Sequence, residues 1–397
     1  SSSMYVADII AKAKQYKGWS SLSLNKRCSN INKLRKAIVK NKDELQNILK
    51  SETGKKDFDV FVELFGLLEH LKEITKIAKK SLKPNSRNAG TMKSKKAYVI
   101  YNPLGVAGVI SPWNYPLTTP ITSISEALLA GNNVILKPSE HTPLTALFIK
   151  KLWDEFVGYE DAFNIIIGAG DVGQMLVNSK DIDIICFTGS TKVGKLIAEK
   201  CSETLKPVIL ELGGKDPLIV LKDANLKRAV ESALFAGYSN AGQTCISVEE
   251  VFVEDVIYDR FVKDISSKVR SMSAGYKDDM EIGSMIMESN CKKVREHISE
   301  IDQNKIISGK SISHKMYIAP TIIIEPPEEA RVVNEETFGP LISIRSFKDK
   351  DELLSKIHET GYGLAGSIFG KDKKGINEIL NELKIGNISI NDVFTHY

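Results

Sequence analysis

The sequence predicts an α/β chain, with a doubly wound parallel sheet in one domain and a second α/β domain following it. Three observations carry this. Short, near-continuous apolar runs, "NVILKP" (133–138), "FNIIIG" (163–168), "IDIICF" (182–187) and "PVILEL" (207–212), recur with helical stretches between most of them. That pattern marks parallel strands buried on both faces. Glycine-bearing turns, "GAGDVG" (168–173) and "GSTKVGK" (189–195), follow two of these strands, as in a Rossmann-like nucleotide domain. Finally, 397 residues exceed what one compact core supports.

Taken in order, residues 29–50 and 58–80 read as two amphipathic helices, the second presenting Phe61, Leu64, Phe65, Leu68, Leu71 and Ile74 as its apolar side. Beyond "KPNSRNAG" the chain turns extended in "KAYVIYNPLGVAGVI" (96–110). Helices are expected at 116–130, 141–157 and 191–204, between the apolar strands. A second cycle follows Gly214: helix 225–239, strand "EVFVE" (250–254), helix 256–272, and strands near 341–345 and 365–369. The expected division is a doubly wound, nucleotide-binding candidate domain of 1–84 and 104–213, an extended arm at 85–103 suited to oligomerisation, and a second α/β domain of 214–397. Loops meeting near "ELGGKDP" (211–217) are where a cleft would form.

Composition narrows the function classes. The net charge is +4, yet residues 1–100 hold 22 Lys/Arg against 9 Asp/Glu. Those lysines fall between helical apolar positions without aromatic interleaving, so they read as a solvated helix face and not as a nucleic-acid surface. Five cysteines, Cys28, Cys186, Cys201, Cys245 and Cys291, with no CxxC pair, argue against a disulfide framework or a zinc site and for a reducing, cytoplasmic compartment. No apolar run has transmembrane length, and the first residues lack the pattern of a secretory signal. The six histidines, His70, His141, His297, His314, His358 and His396, show no metal-binding spacing and read as surface or local hydrogen-bonding residues, so no metal is expected.

Two questions stay open at this level. "GAGDVG" fits G-x-G-x-x-G, while "GSTKVGK" fits a P-loop until Leu196 stands where Ser or Thr would hold magnesium. Either could cradle a phosphate, or simply be a tight strand–helix turn. Cys245 in "NAGQTCISVEEVFV" follows three turn-forming residues, and is by residue chemistry alone as much a core filler as a nucleophile.

Read together, "SPWNYP" (111–116), "KPSEHTP" (137–143), "FTGSTKVGK" (187–195), "LELGGKDP" (210–217), "GQTC" (242–245) and "EETFGP" (335–340) resemble the aldehyde dehydrogenase family. Weaker matches are "YGLAGSIF" (362–369) and "GNISINDVF" (386–394). The resemblance runs from about Trp19 to the end of the chain, and its short front is similar to the compact branch of the family. It implies an aldehyde dehydrogenase-like fold and NAD(P)-dependent oxidation of an aldehyde to a carboxylic acid.

By this resemblance Cys245 is the nucleophile, Asn114 an oxyanion donor and Glu211 the general base. Gly189, Ser190, Val193 and Gly194 match the pyrophosphate loop, leaving "GAGDVG" on the adenine side. Lys137 and Glu140 match the adenosine ribose site, with Glu140 favouring NAD although NADP remains open. Glu336, Phe338 and Trp113 match the nicotinamide end. Tyr115, Thr244, Ile246 and Phe394 would touch the aldehyde, and Thr119 and Thr122 imply a roomy pocket for a medium-chain or aromatic substrate. Glu211 points to hydrolysis of a cysteine thioester and not to acylation of coenzyme A. The family pattern implies a further segment beyond Tyr397 and a homodimer or homotetramer when it is present. The rival readings are a truncated, inactive relative that retains nucleotide binding, or a coenzyme A-acylating semialdehyde dehydrogenase.

Overall fold

The computed structural model describes residues 2–395; His396, read above as a surface residue, lies outside them. Two compact units emerge. One comprises the chain up to Glu52 with Val60–Glu211, the other Thr53–Asp59 with Leu212 onward.

The first unit opens on α1 (Ser2–Gln15), α2 (Leu24–Lys40), α3 (Lys42–Thr53) and α4 (Asp57–Ser81). The expectation of one helix over 29–50 is corrected at Asn41. Its backbone leaves the helical region (φ −109°, ψ 23°) while its N–H closes α2 on Ala37 and Ile38. Helix α1 was not anticipated, although Val6, Ile10 and Ala13 are buried on one helical face. The expected face of α4 is also corrected. Val60, Glu63, Leu64, Leu67, Leu71, Thr75 and Ala78 are buried, whereas Phe61 and Phe65 are exposed and stack on each other at 5.8 Å.

A two-stranded antiparallel pair follows, β1 (Asn85–Arg87) with β2 (Ala97–Val99). The parallel sheet is then laid down as β3 (Val106–Ile110), α5 (Thr118–Leu129), β4 (Asn133–Lys137), α6 (Pro143–Phe156), β5 (Phe163–Ile165), α7 (Gly170–Asn178), β6 (Ile184–Thr188), α8 (Thr191–Ser202) and β7 (Val208–Glu211). Its order is β5-β4-β3-β6-β7, with all neighbours parallel. Chain order reverses beside β3, so the β3/β6 junction is the topological switch point, where such sheets bind ligands outside their C-terminal strand ends. Every residue of β3 and β4 is buried, as parallel strands covered on both faces require. Trp19 anchors the helical layer: fully buried, it donates from Nε1 to Leu128 O at 2.8 Å and packs tilted on Trp153.

The second unit holds β8 (Asp216–Val220), α9 (Leu226–Tyr238), β9 (Val248–Glu254), α10 (Asp255–Ser271), the two-residue β10 (Ser273–Ala274), α11 (Glu288–Ser299), β11 (Ile306–Ser308), β12 (Lys310–Ser311), β13 (Thr321–Ile324), α12 (Arg331–Asn334), β14 (Leu341–Phe347), α13 (Lys350–Glu359), β15 (Ala365–Phe369), α14 (Lys373–Leu380) and β16 (Asn387–Ile390). Among the described residues a seven-stranded sheet runs β11-β13-β14-β9-β8-β15-β16, parallel except for β11 against β13. The sequence reading missed β8. A proline argues against a central strand, and here Pro217 is accommodated at a register shift after Asp216.

Strand β9 buries two successive glutamates, Glu249 and Glu250, which point to opposite faces of the sheet. Each finds a cation: Lys215 at 2.9 Å from Glu249 and Arg345 at 3.3 Å from Glu250. Burial pushes the Glu250 carboxyl up to about 7 even with Arg345 beside it.

Candidate active site

Within the first unit, the expected site residues gather at the C-terminal ends of the parallel strands. The segment after β3 carries Trp113, Asn114 and Tyr115. Lys137 ends β4, with Glu140 just beyond. Gly189 and Ser190 link β6 to α8, and Glu211 ends β7. Sequence reasoning overlooked Glu63, which settles the first of these segments. This buried glutamate accepts from Leu117 N–H at 2.9 Å and Thr118 N–H at 3.2 Å, while its carbonyl accepts from Thr118 Oγ1 at 2.9 Å. A carboxylate on the first turn of α5 offsets that helix's unpaired N–H groups, so Asn114, itself buried, leads into a fixed helix start.

Lys137 is buried and donates to Pro138 O at 2.9 Å, Gly168 O at 2.7 Å and Glu140 Oε2 at 3.4 Å. It therefore ties the end of β4 to the "GAGDVG" turn. Partial burial opposes ionisation of Glu140, yet its own backbone N–H and Lys137 hold the carboxyl below its ordinary range. Of the two glycine turns, "GAGDVG" follows the outermost strand, β5, whereas "GSTKVG" follows β6 at the switch point. Ser190 is the N-cap of α8, accepting from Val193 N–H, and Gly189 N–H donates to Glu211 O at 3.0 Å. One residue past β3, the strand paired with β6, Ser111 Oγ is buried without a protein hydrogen-bond partner among the described residues. A helix N-terminus and an unsatisfied hydroxyl at the strand ends suit an anionic dinucleotide. Val193 is exposed and offers an apolar contact for a base.

In the second unit the segment before Cys245 is built from rare backbone conformations. Asn240, Ala241 and Gly242 all lie in the left-handed region, at φ 51°, 55° and 70°. Glycine is required at 242, because a Cβ there would meet Gly339 O at 2.1 Å. Gln243, fully buried, locks the turn: Nε2 donates to Asn240 O at 2.9 Å and Oε1 accepts from Ile286 N–H at 2.8 Å. Asn240 N–H donates to Asp59 Oδ1 at 3.0 Å, and Ser247 Oγ to Ala236 O at 3.1 Å. Strain held in this way is stored where the surroundings over-determine it. Cys245, half-buried, follows immediately.

Burial pushes the Cys245 thiol up to about 12, helped by the carboxylates of Asp216 and Glu336. Glu336 accepts from Gly214 N–H at 3.2 Å and lies over Gly213, where a Cβ would meet its carboxylate at 2.4 Å. Burial, then Glu249, raises the Glu336 carboxyl to about 7. Phe338 adopts φ 58°. Thr244 is buried, while Ile246 and Phe394 line one narrow pocket with Asp216, Ala236 and Val393. Phe394 meets Phe235 edge-on at 5.7 Å. Asp216 escaped the sequence reading. It is buried, and that burial pushes its carboxyl well above the usual range. All five cysteines are free thiols. Among the described residues no group of His, Cys, Asp and Glu converges as a metal site, and no helix is long and apolar enough to cross a membrane.

A family model described as "Aldehyde dehydrogenase family" matches residues 1–397. D-glyceraldehyde dehydrogenase (NADP(+)) of Picrophilus torridus is 33% identical over 386 residues, covering 95% of this chain and 78% of that protein. The crystal structure of lactaldehyde dehydrogenase from Escherichia coli matches with a TM-score of 0.94 at 27% identity, over 100% of this chain and 84% of the other. Betaine aldehyde dehydrogenase from Staphylococcus aureus, solved in complex with NAD+, matches with a TM-score of 0.92 at 27% identity, over 99% and 80%.

Proposed function

The chain belongs to the aldehyde dehydrogenase family and oxidises an aldehyde to a carboxylic acid with NAD(P), and from that premise we propose that Cys245 carries the reaction. The observation that supports this most is the construction before it: three successive left-handed residues, clamped by a buried glutamine, serve to present one thiol. With the thiol raised to about 12, Cys245 rests protonated and needs a base as it attacks. Sγ bonds to the carbonyl carbon, Glu211 takes the thiol proton, and the oxygen becomes an oxyanion. Asn114 and the Cys245 N–H donate to that oxyanion. When bound, the nicotinamide ring supplies the acceptor for the hydride that leaves this carbon.

The thioester left on Sγ is then hydrolysed. Once Glu211 has passed the thiol proton to solvent, it accepts a proton from water as the water oxygen attacks the thioester carbon; the C–S bond breaks and the sulfur takes that proton back. Asn114→Ala should lower kcat by about 10²–10³-fold, the usual effect of losing one oxyanion donor. Steady-state rates matching the parent protein would remove Asn114 from that role.

Lys137, Glu140, Ser111 and the start of α8 fit the adenosine and pyrophosphate of the cofactor, with Trp113, Glu336 and Phe338 at its nicotinamide end. Glu140, exposed and ionised, repels a 2′-phosphate and favours NAD. The half-buried Thr119 and Thr122 leave room for a medium-chain or aromatic aldehyde bounded by Tyr115, Thr244, Ile246 and Phe394. The test is NADH absorbance over a panel of aliphatic and aromatic aldehydes, run with NAD+ and NADP+, with the acid product identified. No turnover despite cofactor binding would overturn the catalytic reading, and a profile peaking at acetaldehyde would overturn the roomy pocket.

The β1/β2 pair and the segment after it expose Tyr98, Ile100, Tyr101 and Leu104, more apolar surface than a free arm carries comfortably. Together with the free thiols, this supports a cytoplasmic homo-oligomer. Light scattering should give a dimer or tetramer, and a monomer at micromolar concentration would refute it.

A further inference from the structure

Beyond the Glu335 N–H, which caps α12 on Arg331 O at 2.8 Å, the loop Glu335–Phe338 has no ladder or helix to hold it, and one of its residues, Phe338, sits at φ 58°. Its backbone is instead tied by side chains. Glu249 accepts from Thr337 N–H at 2.7 Å and Phe338 N–H at 2.7 Å. Lys215 Nζ donates to Glu335 O at 2.9 Å and to Glu249 Oε2 at 2.9 Å. From α11, Lys293 donates to Glu336 O, and Asn290 to Phe338 O at 2.7 Å. His297, buried on the same helix, lies with Nδ1 at 3.2 Å from Thr337 Oγ1.

The centre of this arrangement is an ion pair with almost no solvent contact, the Lys215 and Glu249 side chains being 0% and 3% exposed. Burying a charged pair is costly, and apolar residues of equal volume commonly serve packing as well or better. Apolar residues cannot, however, accept two adjacent amide N–H groups and donate to the carbonyl two residues earlier. Those are the bonds a loop with a left-handed residue needs in order to keep one shape. Lys215 directly follows Gly214, whose N–H holds the Glu336 carboxylate. The same short segment thus fixes both the backbone and the side chain of Glu336.

We infer that the buried Lys215–Glu249 pair is the positioning device of the Glu335–Phe338 loop and thereby sets how tightly the cofactor's nicotinamide end is held. The inference rests on the reading of Glu336 and Phe338 as cofactor contacts. Neither Lys215 nor Glu249 touches the cofactor in this scheme; both act through the loop.

The test is the neutral double variant Lys215→Met/Glu249→Gln, which leaves no unpaired buried charge, compared with Glu336→Gln. Hydrogen exchange at the Thr337 and Phe338 amides without cofactor, the Kd for NAD+ and NADP+, and separate KM values are measured. The double variant should speed exchange at these amides and raise Kd and cofactor KM about tenfold, the loss of one charge-assisted hydrogen bond. The aldehyde KM and kcat at saturating cofactor should stay near parental values. Faster exchange with unchanged Kd, while Glu336→Gln weakens binding, overturns the positioning role. Unchanged binding in Glu336→Gln overturns the cofactor reading beneath it, and the inference falls with it. If the double variant does not fold, Asn290→Ala removes a single tie and should raise Kd about threefold by the same route; an unchanged Kd there overturns the inference.

Discussion

Replacing Cys245 by alanine removes aldehyde-dependent reduction of the cofactor, with a loss in kcat on the order of 10⁴-fold or more, as for other enzymes stripped of their nucleophile. Cofactor binding, followed by quenching of protein fluorescence, should persist, because no cofactor contact is assigned to the Sγ atom. The other thiols make poor substitutes: Cys28, Cys201 and Cys291 are buried, and Cys186 is held inside strand β6 and not on a loop. Alkylation supplies a second measurement. Since Cys245 is raised to about 12, its thiolate fraction at neutral pH is small. It grows about tenfold per pH unit below that value. The iodoacetamide rate at Cys245 should therefore climb without a plateau between pH 7 and 10. A plateau near neutrality would mean the thiolate is already formed, and a C245A protein that keeps turning over would end the nucleophile assignment.

Glu211→Gln separates the two halves of the reaction. An isosteric amide keeps the shape at the end of β7 but cannot accept a proton, so the thioester on Cys245 should outlive its formation. Stopped-flow absorbance should show one burst equivalent to about one NADH per subunit, followed by steady turnover reduced about 10²–10⁴-fold. Mass spectrometry should find the acyl group on Cys245. The burst rate then reports whether Glu211 also takes the thiol proton. If it does, the burst itself slows while its amplitude stays near one. Unchanged steady turnover would remove Glu211 from the base role. Acceleration of the parent protein by coenzyme A, with an acyl-coenzyme A product, would instead favour acyl transfer over hydrolysis.

Much of the first unit was legible because burial follows short-range periodicity. The runs that became β3 to β7 are apolar over three to five residues, and their helices carry amphipathic spacing, so the parallel sheet could be read from local pattern. Failures came where the signal was weak or conflicting. Helix α1 offered, among its described residues, only the three buried positions Val6, Ile10 and Ala13. Pro217 disguised β8 because a bulge that tolerates it leaves no mark in composition. On α4 the large aromatics Phe61 and Phe65 outweighed Glu63 by hydropathy, yet Glu63 is the buried one, because the start of α5 supplies it with N–H partners 54 and 55 residues away.

The site divides in the same way. Sequence alone determined the alternation of strands and helices, the two glycine turns as phosphate-loop candidates and, through the family motifs, Cys245, Glu211 and Asn114 as the residues to watch. These lie in contiguous stretches whose chemistry is readable locally. Tertiary structure decided which glycine turn stands at the switch point, since strand order is a property of the sheet and not of the chain. It also decided that Cys245 rests as a thiol, because a pKa depends on burial and on carboxylates such as Asp216 and Glu336 brought from elsewhere. And it decided that Lys215 meets Glu249 across 34 residues to hold a third segment. A buried charge gains its partner only when the strands pair, and no local pattern encodes that meeting.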